Sequence, residues 1–369
     1  LGVRFLEAKW KSLAKKIVRD CYRVKEGNMV LISADKNVLD LAMAVGLECY
    51  TAGAIPTITV TSSEYLHSCY KNASVKTLSL TPEHILVACD SLDVYMTLSA
   101  PSDPALLKDI SAEKMKALST ANKPIQDKLT ERKIKSGGIL LATPGLAKLF
   151  NLTYEELDRK LLKALDTDYD KMLHVGEQLE KILKGSRKVE VYSNSGTSLK
   201  FSVAGRRWLI DDGVISDEDV ERGDVILNLP TGEVFIAPVE DSVNGVFVMD
   251  TPRYYKGQKI AGLRLRFENG KLVGFKAEEG EKFFKELIDI NTGDKDKFAE
   301  FGIGINADAE LNAPLILEEK AMGTIHVAIG DNRSFGGNNN STLHIDLISV
   351  NPTVKVEGKS IMIDGKLQV

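Results

Sequence analysis

The hydrophobic pattern of this chain changes character once, and that change limits the fold more than any single motif. Up to about residue 150, short apolar or β-branched runs alternate with helical periodicity. Residues 29–32, 55–60, 85–88 and 139–142 read as strands, with helices over 38–50 and about 103–122. Such alternation predicts an N-terminal α/β domain with a mostly parallel sheet. Residues 153–184 continue as one or two amphipathic helices, opening at the capping sequence Thr153-Tyr154-Glu155-Glu156. From residue 189 the runs turn β-rich, at 189–192, 199–203, 225–228, 234–237, 246–249, 263–268 and 272–275. Turn sequences such as Asp212-Gly213 and Asn269-Gly270 separate them. A lone helix is expected over 280–290, strands over 323–329 and 343–348, and a final hairpin turning at Asp364-Gly365. The boundary is set at Gly185-Ser186. It gives an α/β domain over 1–185 and a C-terminal, largely β (α+β) domain over 186–369.

Length and charge narrow the class. A chain of 369 residues suits two domains. With 43% hydrophobic residues and a net charge of −4 it can bury a core, which excludes disorder. No stretch approaches the ~20 apolar residues of a membrane span, and the first residues lack a signal-peptide pattern. Nucleic acid is not expected as a partner, since the pI is near 5.9 and no basic tract occurs. Cys21, Cys49, Cys69 and Cys89 match no metal ribbon or redox pair, and Cys21 and Cys89 sit among apolar neighbours. They read as reduced core thiols of a cytoplasmic protein. The turn after the first strand, Ser33-Ala34-Asp35-Lys36-Asn37, is no phosphate loop, and no GxGxxG or GxxxxGK[ST] occurs.

The net charge is unevenly shared. Residues 1–185 carry 26 Lys+Arg against 23 Asp+Glu, and residues 186–369 carry 22 against 29. Two of the five histidines fall in the acidic half. His326 lies in the strand-like Gly323-Thr324-Ile325-His326-Val327-Ala328-Ile329-Gly330. His344 and Asp346 alternate with apolar residues in Leu343-His344-Ile345-Asp346-Leu347, and so project from one face of a strand. That face is either a solvated polar side or a pair of metal ligands. His67, His84 and His174 have no such setting and read as surface or structural. Glu233, Glu300 and Glu319 lie in or beside apolar and glycine-rich segments of the same half. Taken with His326, His344 and Asp346 they offer two nitrogens and four carboxylates, a charge that would balance two divalent cations. Mixed N/O ligation suits Zn²⁺, Co²⁺, Mn²⁺ or Fe²⁺, and the lack of thiolates argues against a structural zinc.

Four segments carry a family resemblance. Asn228-Leu229-Pro230-Thr231-Gly232-Glu233-Val234-Phe235-Ile236-Ala237-Pro238 and Ala299-Glu300-Phe301-Gly302-Ile303-Gly304-Ile305-Asn306 resemble signatures of the M29 (thermophilic, leucyl aminopeptidase-like) metallo-aminopeptidases. So do Glu319-Lys320-Ala321-Met322-Gly323-Thr324-Ile325-His326-Val327-Ala328-Ile329-Gly330 and Gly336-Gly337 followed by Leu343-His344-Ile345-Asp346. The resemblance implies an α/β domain followed by a β-rich metal domain, two divalent ions (Zn, Co or Mn), and a homodimer whose subunits enclose the active site. It implies a peptide substrate with a free N-terminus. Glu233, Glu300, His326, His344 and Asp346 become metal ligands, with Glu300 also a general base. Glu319 becomes a ligand or a carboxylate beside the ligands, able to shuttle a proton.

One position departs from the family pattern. Seven residues beyond His326, where such enzymes carry a catalytic tyrosine, this chain has Arg333. Arg333 is expected either to stabilise an oxyanion or to be a loop residue, with Tyr254 or Tyr255 as possible substitutes. The alternatives are a mononuclear Fe²⁺ dioxygenase cleaving dihydroxypyridine-type rings, which resembles this scaffold, and an inactive metal-binding homologue.

Overall fold

The computed structural model describes residues 7–255 and 257–369. The chain divides into two compact units: residues up to Asp166 with Gly213–Pro230, and Thr167–Asp212 with Thr231–Val369. The division differs from a single crossing at residue 185 for two physical reasons. Helix Tyr169–Leu183 buries Met172, Leu179 and Leu183 in the core of the β-rich unit. Residues 213–230 instead run back along the first unit. There Ile215 N–H donates to Cys21 O, and Ile226 and Leu229 bridge to Ser136 and Ile139 in parallel sense. The run expected as a strand over 225–228 is thus an irregular extension of a parallel sheet.

The first unit holds four parallel strands in the order Ile55–Thr61, Met29–Asp35, Val94–Ser99, Lys135–Leu140. Helix Leu39–Thr51 follows the strand Met29–Asp35 as its pattern predicts. One expectation fails: Ile85-Leu86-Val87-Ala88 lies in helix Glu83–Ala88, and the third strand is Val94–Ser99. A four-residue apolar run has no readable period, whereas Val94, Met96 and Leu98 alternate as the buried side of a strand. The helix expected near 103–122 runs later, over Ala112–Glu131. All four cysteines are free and three are buried; burial pushes the Cys49 thiol up to about 12. Among the described residues no helix is long and apolar enough to cross a membrane.

The second unit pairs an eight-stranded sheet with a five-stranded one. Alternate residues of both meet in one aromatic core. The ring of Phe201 lies 5.2 Å from that of Phe301, and Phe267 lies 5.2 Å from Phe298. The five-stranded sheet is antiparallel throughout, in the order His344–Val350, Thr324–Gly330, Phe298–Gly304, Glu233–Ile236, Leu209–Asp211. Its other face carries the polar residues of interest.

Candidate metal centre

Strand alternation separates core from chemistry. Phe301, Ile303, Ile325, Val327, Ile345 and Leu347 enter the aromatic core, so Glu300, His326, His344 and Asp346 project from the opposite face. Glu233 does the same on the neighbouring strand, between Thr231-Gly232 and the core residue Val234. The register sets Gly302 beside His326 and Gly304 beside Glu233. A bulge between Phe298 and Glu300 absorbs one residue, so that Phe298 and Phe301 both reach the core while Glu300 stays on the polar face.

Two triads result, and they share Glu300. His326 Nε2 lies 3.3 Å from Glu233 Oε2 and 3.2 Å from Glu300 Oε1. His344 Nε2 lies 3.3 Å from Glu300 Oε2 and 3.2 Å from Asp346 Oδ1. Within each triad one donor atom per residue falls inside 4.8 Å of the others, close enough to hold a metal ion. Glu300, Glu233 and His326 are buried, and His344 sits at the open edge. Glu233 Oε2 is buried without a hydrogen-bond partner. That open oxygen, with the other oxygen and nitrogen donors of the triads, fits a divalent transition metal.

Neighbouring groups orient these donors. His344 Nδ1 lies 2.7 Å from Asp331 O; as a donor there it leaves Nε2 to face the acids. Buried Lys320 sets its Nζ 2.6 Å from Glu233 Oε1 and 3.1 Å from Glu319 Oε1. Glu319 therefore reaches the site through Lys320, and it belongs to neither triad. Asn306 ties the edges together. Its Nδ2 donates to Thr231 O at 2.7 Å, and its backbone N–H donates to Lys320 O. The burial of Lys320 was not legible in sequence, because nothing local in Glu318-Glu319-Lys320 signals it.

Burial disfavours charge on every group here, and the neighbours decide each outcome. For Glu233 burial prevails over the pull of Lys320 and His326, and its carboxyl is raised. For both imidazoles the adjacent carboxylates overcome burial and hold the proton above the ordinary histidine range. Glu300 and Asp346 are held below theirs, despite burial, by those imidazoles. The acids demand positive charge among them, a role a bound cation would take over.

Of the residues considered for the missing tyrosine, Arg333 and Tyr255 have partners of their own. Arg333 is exposed in a short turn, with Nε and Nη2 at 2.8 and 2.7 Å from Asp331 Oδ2. That is the loop role of the two considered. Tyr255 packs against Phe283 at 6.5 Å between ring centroids. His67 pairs with Asp109 at 2.6 Å and His174 lies 3.0 Å from Gln178, so neither joins a triad.

Known proteins resemble this chain in sequence and in fold. The profile of the family described as thermophilic metalloprotease (M29) matches residues 6–366. Aminopeptidase AmpS of Bacillus subtilis is 26% identical over 304 residues, 72% of each chain. The solved structure of AmpT from Thermus thermophilus superposes with a TM-score of 0.81, at 22% identity, over 98% of this chain and 99% of that one. A 2,5-dihydroxypyridine dioxygenase from Pseudomonas putida shares the fold at a TM-score of 0.64 and 14% identity, over 97% and 96% of the two chains. The match of nearly the whole sequence leaves no doubt of kinship: the chain belongs to the M29 family of metalloproteases.

Proposed function

We infer that this metal-dependent aminopeptidase holds two divalent ions, Zn²⁺, Co²⁺ or Mn²⁺, on Glu233, Glu300, His326, His344 and Asp346. The observation that carries the reading is the shared carboxylate, with Glu300 Oε1 3.2 Å from one imidazole and Oε2 3.3 Å from the other. Ions bound there lower the pKa of a water towards neutrality and polarise a scissile carbonyl. The chain's own residues supply the rest. Glu300, with both oxygens committed, keeps the two donor sets in register. Glu319 has one oxygen on Lys320 Nζ and the other in no ion pair among the described residues, so it is the carboxylate suited to carry a proton to the leaving amine. The acidic face attracts the ammonium group of a peptide with a free N-terminus. Four free cysteines suit a reducing, cytoplasmic setting.

Metal analysis paired with an aminopeptidase assay across added Co²⁺, Zn²⁺, Mn²⁺ and Fe²⁺ tests this directly. About two ions per chain and cleavage of Leu-p-nitroanilide are expected, the stoichiometry following from two triads. A single iron with ring-cleaving activity would replace the reading by the dioxygenase, and absence of both metal and turnover by an inactive homologue.

A homodimer accords with an apolar face on the first unit. Helix Leu39–Thr51 leaves Met43, Leu47 and Tyr50 exposed, and the adjoining edge strand leaves Ile58 and Val60 exposed on the face toward the helix. Gly46 lets Ile58 close onto the helix, which makes the two elements one surface. Val60, 56% exposed, lies on it. Contiguous apolar patches of this kind mark association surfaces. Val60→Lys is therefore expected to shift a dimer to monomer in sedimentation velocity. A variant that sediments as the wild type does would remove this face from the interface.

A further inference from the structure

Arg253 opens the short strand Arg253–Tyr255, paired with Gln258–Ile260. The residues before it are pinned to the strand that bears His344 and Asp346. Asp250 N–H donates to Ile348 O at 3.0 Å, and the Asp250 carboxylate accepts from Ser349 Oγ at 2.6 Å and Val350 N–H at 3.0 Å. The guanidinium lies near enough to Asp346, Glu319 and Glu318 for all three to act on its charge. None of these carboxylates comes within 4.0 Å of it. Its Nε–H is buried without an acceptor among the described residues. Nη1 reaches the carbonyl of Tyr254, at 3.3 Å, and the Tyr255 ring centroid lies 5.9 Å away.

That setting is unlike those of the other inward-facing cations of this unit. Lys320 has two carboxylates, and Arg206 has Glu240 and the carbonyl of Gly336. A buried guanidinium N–H without a partner is costly unless something else fills the place. Arg presents a planar fork matched to a carboxylate, and it stays charged in such surroundings. Once divalent cations occupy the triads, Asp346 is neutralised by them, while Glu319 is already paired with Lys320 and Glu318 accepts from Ala313 N–H. The guanidinium then keeps its charge and an unpaired N–H with which to receive an anion.

We propose that Arg253 receives a carboxylate of the peptide substrate, so that the site selects peptides carrying a carboxylate within reach of the scissile bond. The proposal rests on the aminopeptidase reading. The carboxylate has two sources, the C-terminus of a dipeptide or an acidic side chain, and the substrates used separate them. Leu-Leu is compared with Leu-Leu amide, and Asp-p-nitroanilide with Leu-p-nitroanilide, for the wild type, Arg253→Leu and Arg253→Lys.

The ratio of kcat/KM between the carboxylate-bearing and neutral member of one pair is expected to fall roughly tenfold or more in Arg253→Leu, carried mainly by KM. Arg253→Lys is expected to recover part of it. The pair that responds identifies the source. Unchanged ratios in both pairs overturn the proposal, whatever the absolute rates. A turnover-free measurement accompanies this: glutarate binding to the Zn²⁺-loaded protein by calorimetry, expected to weaken roughly tenfold in Arg253→Leu. Equal glutarate affinity in both proteins also overturns it. If the wild type cleaves none of the four peptides, the aminopeptidase reading falls while glutarate binding still decides the role of Arg253.

Discussion

Glu300→Gln is expected to reduce bound metal from about two ions per chain to one or none, and to lower Leu-p-nitroanilide hydrolysis by roughly 10³-fold or more. The substitution keeps shape and removes charge. A neutral amide has one oxygen to offer, so it cannot serve the His326 and His344 donor sets together, which lie 3.2 and 3.3 Å from opposite oxygens of Glu300. The substitution also removes the negative charge that both imidazoles face. Glu319→Gln makes the informative contrast. Glu319 lies outside both triads and touches Lys320. That variant is expected to retain both ions while kcat falls by roughly 10²-fold, the scale of a lost proton carrier. Two variants with the same metal content would erase the distinction drawn here between a shared ligand and a proton carrier. Full metal and full turnover in Glu300→Gln would remove Glu300 from the centre altogether.

What could be read in sequence was whatever depends on local period. His344 and Asp346 share a face because they are two apart on a strand, and the apolar residues between and around them enter the core. The same holds for His326 between Ile325 and Val327. What could not be read depends on register between distant strands. Nothing local announces that Gly302 pairs with His326, or that the bulge before Glu300 turns its carboxylate to the polar face. Lys320 and Arg253 were hidden for a related reason. A charged residue in a charged or turn-rich stretch reads as solvated, and only tertiary packing shows that Lys320 is buried between two acids. The failure at Ile85–Ala88 is of another kind, since a run of four apolar residues fits a buried strand and a short helix equally well. The motif resemblance identified five residues that do converge, while Glu319 required coordinates to be set apart from them.

Gly302→Ala is expected to damage the metal centre while leaving the chain folded. A Cβ at this position would lie 2.0 Å from His326 Cε1 and 2.2 Å from its Nε2, so the imidazole lies directly across the glycine. Gly302 does not need its backbone freedom here. Its φ is not among the positive values, and only the absence of a side chain matters. With Ala present, the buried His326 ring must turn away from Glu233 and Glu300, and the surrounding strands give it little room. Overpacking of this kind costs about 1–3 kcal/mol, a modest fall in Tm for a protein of this size. The loss at the centre should be larger, with one ion missing per chain and activity down roughly 10²-fold or more. Gly274→Ala is the matched control in the other sheet. Its Cβ would find its nearest heavy atom, Arg266 Nε, at 3.9 Å, an ordinary contact. That variant is expected to stay within about 0.5 kcal/mol of the wild type and to bind metal normally. Normal metal content in Gly302→Ala would mean that His326 is not held across Gly302, and the geometry of the first triad would have to be redrawn.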